Sequence, residues 1–193
     1  MATVFEARGG RYAGCRLENF DCPTAPQLAA VKRLLQYAER LTDHVRAGDS
    51  LTLFGPVGTG KDHLLAAMMR LAVLGGFTVA WRSGAELFGE VRDRIDQERS
   101  EASWVSALLA VDVLAISDPL PPIGSLTEFQ AAMLFRVIDG RYSRSRSTWI
   151  TINCRDADDA QARLTPQIVD RLRHRALSVH CNWPSYRKPL GDL

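Results

Sequence analysis

A short β-prone run, Ser50-Leu51-Thr52-Leu53-Phe54, leads directly into Gly55-Pro56-Val57-Gly58-Thr59-Gly60-Lys61, and a stretch rich in Leu, Ala and Met follows over 62–74. The pattern is G-x-x-x-x-G-K between a strand and a helix, which is the context this spacing requires. The glycines let the backbone curl so that successive N–H groups point inward, and the helix start adds the favourable end of its dipole. A lysine closing such a curl reaches the outer phosphates of a nucleoside triphosphate. Lys61 is one of only three lysines, with Lys32 and Lys188, in a chain whose other cations are arginines, so its place in a Gly-rich loop is hard to ascribe to composition. The expected ATP cradle is Gly55, Pro56, Val57, Gly58, Thr59, Gly60 and Lys61, with Asp62 and His63 opening the helix.

The chain has 193 residues, 46% of them hydrophobic, enough for one sizeable core and too few for two full domains. Its formal net charge of +2 excludes a general polycation, so any contact with nucleic acid must come from local clusters of arginine. Cys15, Cys22, Cys154 and Cys181 lack the close pairing of a zinc site or redox pair and read as reduced thiols. The longest apolar run, 64–77, is interrupted by Arg70, and Glu6 and Arg8 precede Gly9-Gly10 where a leader would be apolar. A cytoplasmic protein without a membrane span is expected.

Residues 1–25 have no clear period and carry Gly9, Gly10, Gly14 and Pro23, so an extended arm is expected there, with one domain over 26–193. Apolar residues from Leu28 to Val45 recur at spacings of three and four and predict one helix over 27–45. Further helices are expected over 62–74, 85–99, 104–109, 127–143 and 166–175. Strands are expected over 50–54, 77–81, 111–116, 148–153 and 177–181. This alternation implies a three-layer α/β fold with a five-stranded parallel sheet, nucleotide lying outside the carboxyl ends of the strands.

Two positions break the usual pattern around Mg²⁺. The residue after the motif lysine, normally a Ser or Thr whose hydroxyl ligates the ion, is Asp62. The third strand, expected to end in a carboxylate, ends in Ser117 before Asp118-Pro119. If Ser117 occupies the metal side, Asp118 falls where a water-orienting carboxylate is expected. If the strand runs one residue further, Asp118 holds the metal and Pro119 cannot activate water. The two anomalies also read as an exchange: Asp62 holds Mg²⁺ directly while Ser117 positions one of its waters, conserving one hydroxyl and one charge. ATP binding would then depend unusually on Mg²⁺. The alternative is a decayed site that binds nucleotide weakly and does not hydrolyse it.

Several segments, in order, resemble DnaC-type helicase loaders and the related IstB-type transposition ATPases of the AAA+ superfamily. Cys15-Arg16-Leu17-Glu18-Asn19-Phe20 looks like their entry motif, and 55–64 is similar to a loader P-loop. Val111-Asp112-Val113-Leu114-Ala115-Ile116-Ser117-Asp118 resembles the Walker B strand, Ser117 being at odds with it. Ser147-Thr148-Trp149-Ile150-Thr151-Ile152-Asn153 resembles the sensor-1 strand, which makes Asn153 the residue that polarises water near the γ-phosphate. Ile168-Val169-Asp170-Arg171-Leu172 resembles the box that delivers an arginine finger to a neighbouring subunit, and Asn182-Trp183-Pro184-Ser185-Tyr186-Arg187 the C-terminal signature.

The resemblance implies an AAA+ ATPase domain without a separate lid, an ATP-dependent homo-oligomer, and a partner that is a replicative helicase or a transposase. Asp118, Asn153 and Arg171 are its expected catalytic residues; Asp62, Ser117 and Asp118 surround the metal. Single-stranded DNA is the expected further partner, through Arg92 and Arg94 and through the cluster Arg141, Arg144 and Arg146. The readings are a helicase-loader-like switch in DNA replication with weak or atypical hydrolysis, an IstB-like transposition helper, and a small-molecule P-loop kinase.

Overall fold

A computed structural model describes residues 10–187. Five strands, β1 (Ser50–Gly55), β2 (Val79–Ser83), β3 (Val113–Ser117), β4 (Ser147–Asn153) and β5 (Ala176–His180), form one sheet in the order β2-β3-β4-β1-β5. Every neighbouring pair is parallel, with Leu51 opposite Trp149 and Leu177, and Ser117 opposite both Ser83 and Thr151. The central strands are buried on both faces, which is why β3 reads as an unbroken apolar run ending at Ser117.

Alternate strand residues supply two cores. On one face Leu51, Leu53, Val113, Ala115, Trp149 and Val179 pack under α1 (Ala25–Glu39), α2 (Leu41–Ala47) and α3 (Lys61–Leu74). On the other, Leu114, Ile116, Ile150 and Ile152 pack under α4 (Gly84–Asp96), α5 (Glu101–Ala110), α6 (Glu128–Tyr142) and α8 (Pro166–Arg173). The three-layer α/β arrangement with five parallel strands is as expected from the alternation of patterns.

Three local differences have physical causes. The helix expected over 27–45 breaks at Arg40, whose φ of −118° and ψ of 29° separate α1 from α2. Tyr37 then donates to Asp49 O at 2.9 Å and stacks on His44, turning α2 back so that Leu41 and Val45 are buried. The short helix α7 (Ala157–Arg163) has no apolar period and rests on its cap: Asp156 accepts from Asp159 N at 2.8 Å while Ala160 is buried. Before α1, where an extended arm was expected, a 3-10 turn at Gly10–Tyr12 is followed by a segment that lies on the body with Cys15, Leu17 and Phe20 buried.

Within the Arg141, Arg144 and Arg146 cluster, Arg141 is structural, which corrects its expected role on DNA. Arg141 is fully buried. It donates to Leu108 O at 2.6 Å, Val111 O at 3.0 Å, Asp112 O at 3.0 Å, Ser147 O at 2.6 Å and Thr148 Oγ1 at 3.2 Å. It thereby joins the end of α6 to the starts of β3 and β4. Arg146 pairs with Asp112, and Arg144 turns back to Gly140 O.

Arg141→Leu would leave those buried carbonyls without a donor, each costing about 1–3 kcal/mol. The expected loss in urea-unfolding free energy is about 3–5 kcal/mol, and Arg141→Lys, with a point charge in place of a planar fork, recovers only part of it. A loss below about 1 kcal/mol would contradict this role.

Candidate nucleotide-binding site

The loop after β1 turns through positive φ at Gly55 (145°), Gly58 (80°) and Gly60 (82°). The last two are fixed from outside by close packing. A Cβ at Gly60 would lie 2.6 Å from the Phe20 ring, and one at Gly58 would collide with Ser185. Trp183 Nε1 donates to Thr59 O at 2.9 Å and Tyr186 N to Gly58 O at 2.9 Å. Tyr186 also reaches Asp21 O and accepts from Gln27 Nε2 at 2.8 Å, so the segments near the two ends of the chain grip the loop together.

Lys61 begins α3 and is 5% exposed. Its ammonium donates to Gly55 O at 2.9 Å and Pro56 O at 2.6 Å, and burial holds its pKa below the ordinary lysine value. Gly60 stands in the left-handed region as N-cap, so the first N–H groups of α3 face outward as an anion site. His63 Nε2 lies 2.9 Å from Arg16 O and 3.0 Å from Asn19 Oδ1, tying α3 to the entry segment.

A cavity of about 490 Å³ opens at this edge of the sheet, bordered by Val57, Gly58, Gly60, Lys61, Asp62 and His63 together with Asp118 and Asn153. Thr59 is fully buried, and Gly55 and Pro56 shape the loop and supply carbonyls to Lys61. β3 ends at Ser117, and Asp118 follows in the left-handed region at φ 48°. Its backbone N–H bonds Thr151 O at 3.1 Å and Thr151 Oγ1 at 3.3 Å. Burial first, and the Asp62 charge second, push the Asp118 carboxyl up to about 6; Lys61 and a hydrogen bond from Asn153 oppose them. Asp118 Oδ1 is buried without a hydrogen-bond partner.

Ser117 is placed differently from expectation. It is 3% exposed, its Oγ accepts Trp81 Nε1 at 3.0 Å, and it does not border the cavity. Trp81 packs edge-on against Tyr12. The hydroxyl beside Asp62 belongs to Thr151, which donates to Asp62 Oδ1 at 2.9 Å. Sequence reasoning missed Thr151 because an interior strand threonine carries no motif signal. It also missed Arg163, which donates to Asn153 O at 3.1 Å, Pro121 O at 2.5 Å and Gly124 O at 2.8 Å, binding the loop after Asp118 to the end of β4.

Arg171 lies apart from this cavity. It pairs with Asp139 at 3.0 Å and Asp170 at 2.6 Å, lies over the Tyr142 ring, and borders a hollow shared with Ser50 and Thr148 at the amino-terminal edge of the sheet. Among the described residues no three His, Cys, Asp or Glu side chains gather as a self-contained metal site, and no helix is long and apolar enough to cross a membrane.

A parallel five-stranded sheet with a glycine loop and lysine at the carboxyl end of β1 defines a P-loop protein. The chain belongs to the IstB-like ATP binding protein family, whose sequence model matches residues 13–190. It is similar to the replicative helicase loader DnaC of Escherichia coli (strain K12), 28% identical over 193 aligned positions covering 97% of this chain and 76% of that protein. It is also similar to an insertion sequence ATP-binding protein of Sinorhizobium fredii (strain NBRC 101917 / NGR234), 31% identical over 181 positions, 91% of this chain and 58% of that one. The crystal structure of the DnaC helicase loader matches with a TM-score of 0.78 at 20% identity, over 89% of this chain and 98% of that chain, a likeness of fold.

A carboxyl whose folded pKa is raised contributes stability that is complete below its unfolded value, near 4, and lost as pH rises through about 6. Without nucleotide, the wild-type melting temperature is therefore expected to fall between pH 5 and pH 7 relative to that of Asp118→Asn. Parallel pH profiles of the two proteins would contradict the environment assigned to Asp118.

Proposed function

We propose that this chain is an ATP-gated switch of the helicase-loader type, acting in DNA replication as a DnaC-like ATPase with atypical hydrolysis. The observation that carries this reading is the convergence of Lys61, Asp62, Asp118 and Asn153 on one cavity at the mouth of the glycine loop. On binding, the Lys61 ammonium exchanges the Gly55 and Pro56 carbonyls for phosphate oxygens, and the N–H groups of α3 meet the same phosphates. Asn153 stands beside Asp118, where a sensor of the γ-phosphate is needed.

Mg²⁺ fits the donors present. Asp118 offers a buried oxygen with no partner, Asp62 borders the same cavity, and carboxylate oxygens suit a hard cation that shares its remaining positions with phosphate and water. When bound, the ion neutralises charge on the phosphates. Asp62 and Asp118 would hold it, and its charge would relieve the burial and the Asp62 repulsion that raise the Asp118 pKa.

The IstB-like helper reading is favoured by one observation, the 31% identity to the insertion sequence protein. The match to the IstB-like ATP binding protein family supports these two readings over the small-molecule kinase. In either remaining role, single-stranded DNA would meet α4, where Arg92 is exposed over Phe129 and Arg94 is half-buried beside Ser103. Arg171, directed away from its own cavity, would serve the nucleotide of a second copy of the chain, as an arginine finger does in trans.

Lys61→Ala is expected to weaken ATP binding by at least tenfold in calorimetry, about 1.4 kcal/mol, with an unchanged circular dichroism spectrum. Equal affinity in mutant and wild type would end the nucleotide-site reading.

Arg171→Ala is expected to keep ATP affinity and lose ATP-dependent self-association or turnover. Mixed with Lys61→Ala protein, it should recover part of the turnover through composite sites. Co-assembly without recovery would show that Arg171 does not act on the nucleotide of a neighbouring copy.

A further inference from the structure

The carboxylate at Asp62 has a hydroxyl partner, but on a different strand from the one the sequence suggests. Ser117 and Thr151 are register neighbours on β3 and β4, and both side chains point to the α3 side of the sheet. Ser117 accepts the Trp81 indole N–H and is withdrawn from the cavity. Thr151, fully buried, donates its one hydroxyl proton to Asp62 Oδ1 at 2.9 Å and accepts the Asp118 N–H at 3.3 Å. A hydroxyl with its donor and an acceptor site both engaged has a fixed orientation.

Both aspartates at the cavity thus meet one residue, Asp62 through its carboxylate and Asp118 through its backbone N–H. Asp62 is fixed at its backbone by the first turn of α3, so its remaining freedom is the side-chain torsion, and the bond from Thr151 selects the rotamer that faces β4. Asp118 sits at a positive φ that non-glycine residues rarely adopt, and its N–H is held by the carbonyl and hydroxyl of the same threonine.

We propose that Thr151 is a positioning residue of the metal–nucleotide site, holding Asp62 and Asp118 in the arrangement that receives Mg²⁺–ATP. This rests on the nucleotide-site reading above and assigns to Thr151 the hydroxyl role that sequence pattern gives to Ser117. The ion gains from carboxylates already turned toward it; without the hydroxyl, Asp62 is free to rotate and repels phosphate wherever it points. The quantity that reports Thr151 is therefore the enhancement of ATP affinity by Mg²⁺, more than ATP affinity itself.

The experiment measures ATP affinity by calorimetry in Mg²⁺ and in EDTA for wild type, Thr151→Val, Thr151→Ser and Ser117→Ala. Valine keeps the shape and removes the hydroxyl. In Thr151→Val the Mg²⁺ enhancement is expected to shrink about tenfold, the scale of one hydrogen bond to a charged group, and Thr151→Ser is expected to restore it. If Thr151→Val folds poorly, Thr151→Cys, a weak donor of similar size, carries the same expectation. An unchanged enhancement in the folded valine or cysteine variant overturns the proposal, as does a loss in Ser117→Ala equal to that in Thr151→Val. Absence of ATP binding by wild type in both conditions is the separate failure of the nucleotide-site reading itself.

Discussion

The loop between β1 and α3 is braced from within by Lys61 and Thr59 on the Gly55 and Pro56 carbonyls, and from outside by two segments distant in sequence. Phe20 closes on Gly60, Ser185 on Gly58, and Trp183 and Tyr186 hydrogen-bond the intervening backbone. Glycine is needed at both contacts for two reasons that reinforce each other: the positive φ and the absence of room for a Cβ. The N–H groups that an anion would meet are held in place before it arrives. Tyr186, bonded to both Asp21 and Gln27, makes the grip mutual, so loosening either end segment loosens the loop.

The charges facing this loop set what it can bind. Lys61, Arg11 and Arg187 border the cavity together with Asp21, Asp62 and Asp118, and the Asp62 charge adds to the burial that raises the Asp118 pKa. Two unit charges 4 Å apart interact by about 4 kcal/mol at an effective dielectric of 20. On the proposed reading, a triphosphate meets carboxylates as well as cations around this cavity, and a divalent cation offsets the repulsion from Asp62 and Asp118. On that reading Asp62, the unusual residue after the motif lysine, favours metal–nucleotide over free nucleotide.

Much of the architecture was legible because the patterns of the chain are strong: β3 is apolar on both faces, α3 is largely apolar beyond its first turn, and the glycine loop has a fixed spacing. The loop residues, Asp118 and Asn153 were readable for the same reason, since each ends a recognisable strand or turn. What could not be read depends on contacts distant in sequence. Nothing near Arg141 in the chain distinguishes it from Arg144, yet one is enclosed by five acceptors drawn from α5, the two residues before β3, and β4, and the other is exposed. Thr151 looks like any β-branched strand residue until α3 is laid over it, and Ser117 looks like a site residue until Trp81 is brought across from β2. α7, with no apolar period, exists through a cap and through its connection to the loop after Asp118.

The position of Arg171 gives the site a geometric asymmetry. The nucleotide cavity lies at the carboxyl edge of the sheet, whereas Arg171 borders a hollow with Ser50 and Thr148, which begin β1 and β4 at the opposite edge. β1 is a six-residue strand, and at about 3.3 Å per residue it separates the two edges by roughly 20 Å, far beyond the reach of a side chain. A chain of this fold therefore cannot bring Arg171 to its own phosphates without dismantling the sheet. If the guanidinium acts on a phosphate, the phosphate belongs to another copy, and it must compete with Asp139 and Asp170 for the same charge. Those pairs are exposed enough to be weak in water. On the proposed reading, assembly can draw Arg171 away from them at modest cost, and ATP in one copy becomes the reason for the next to dock.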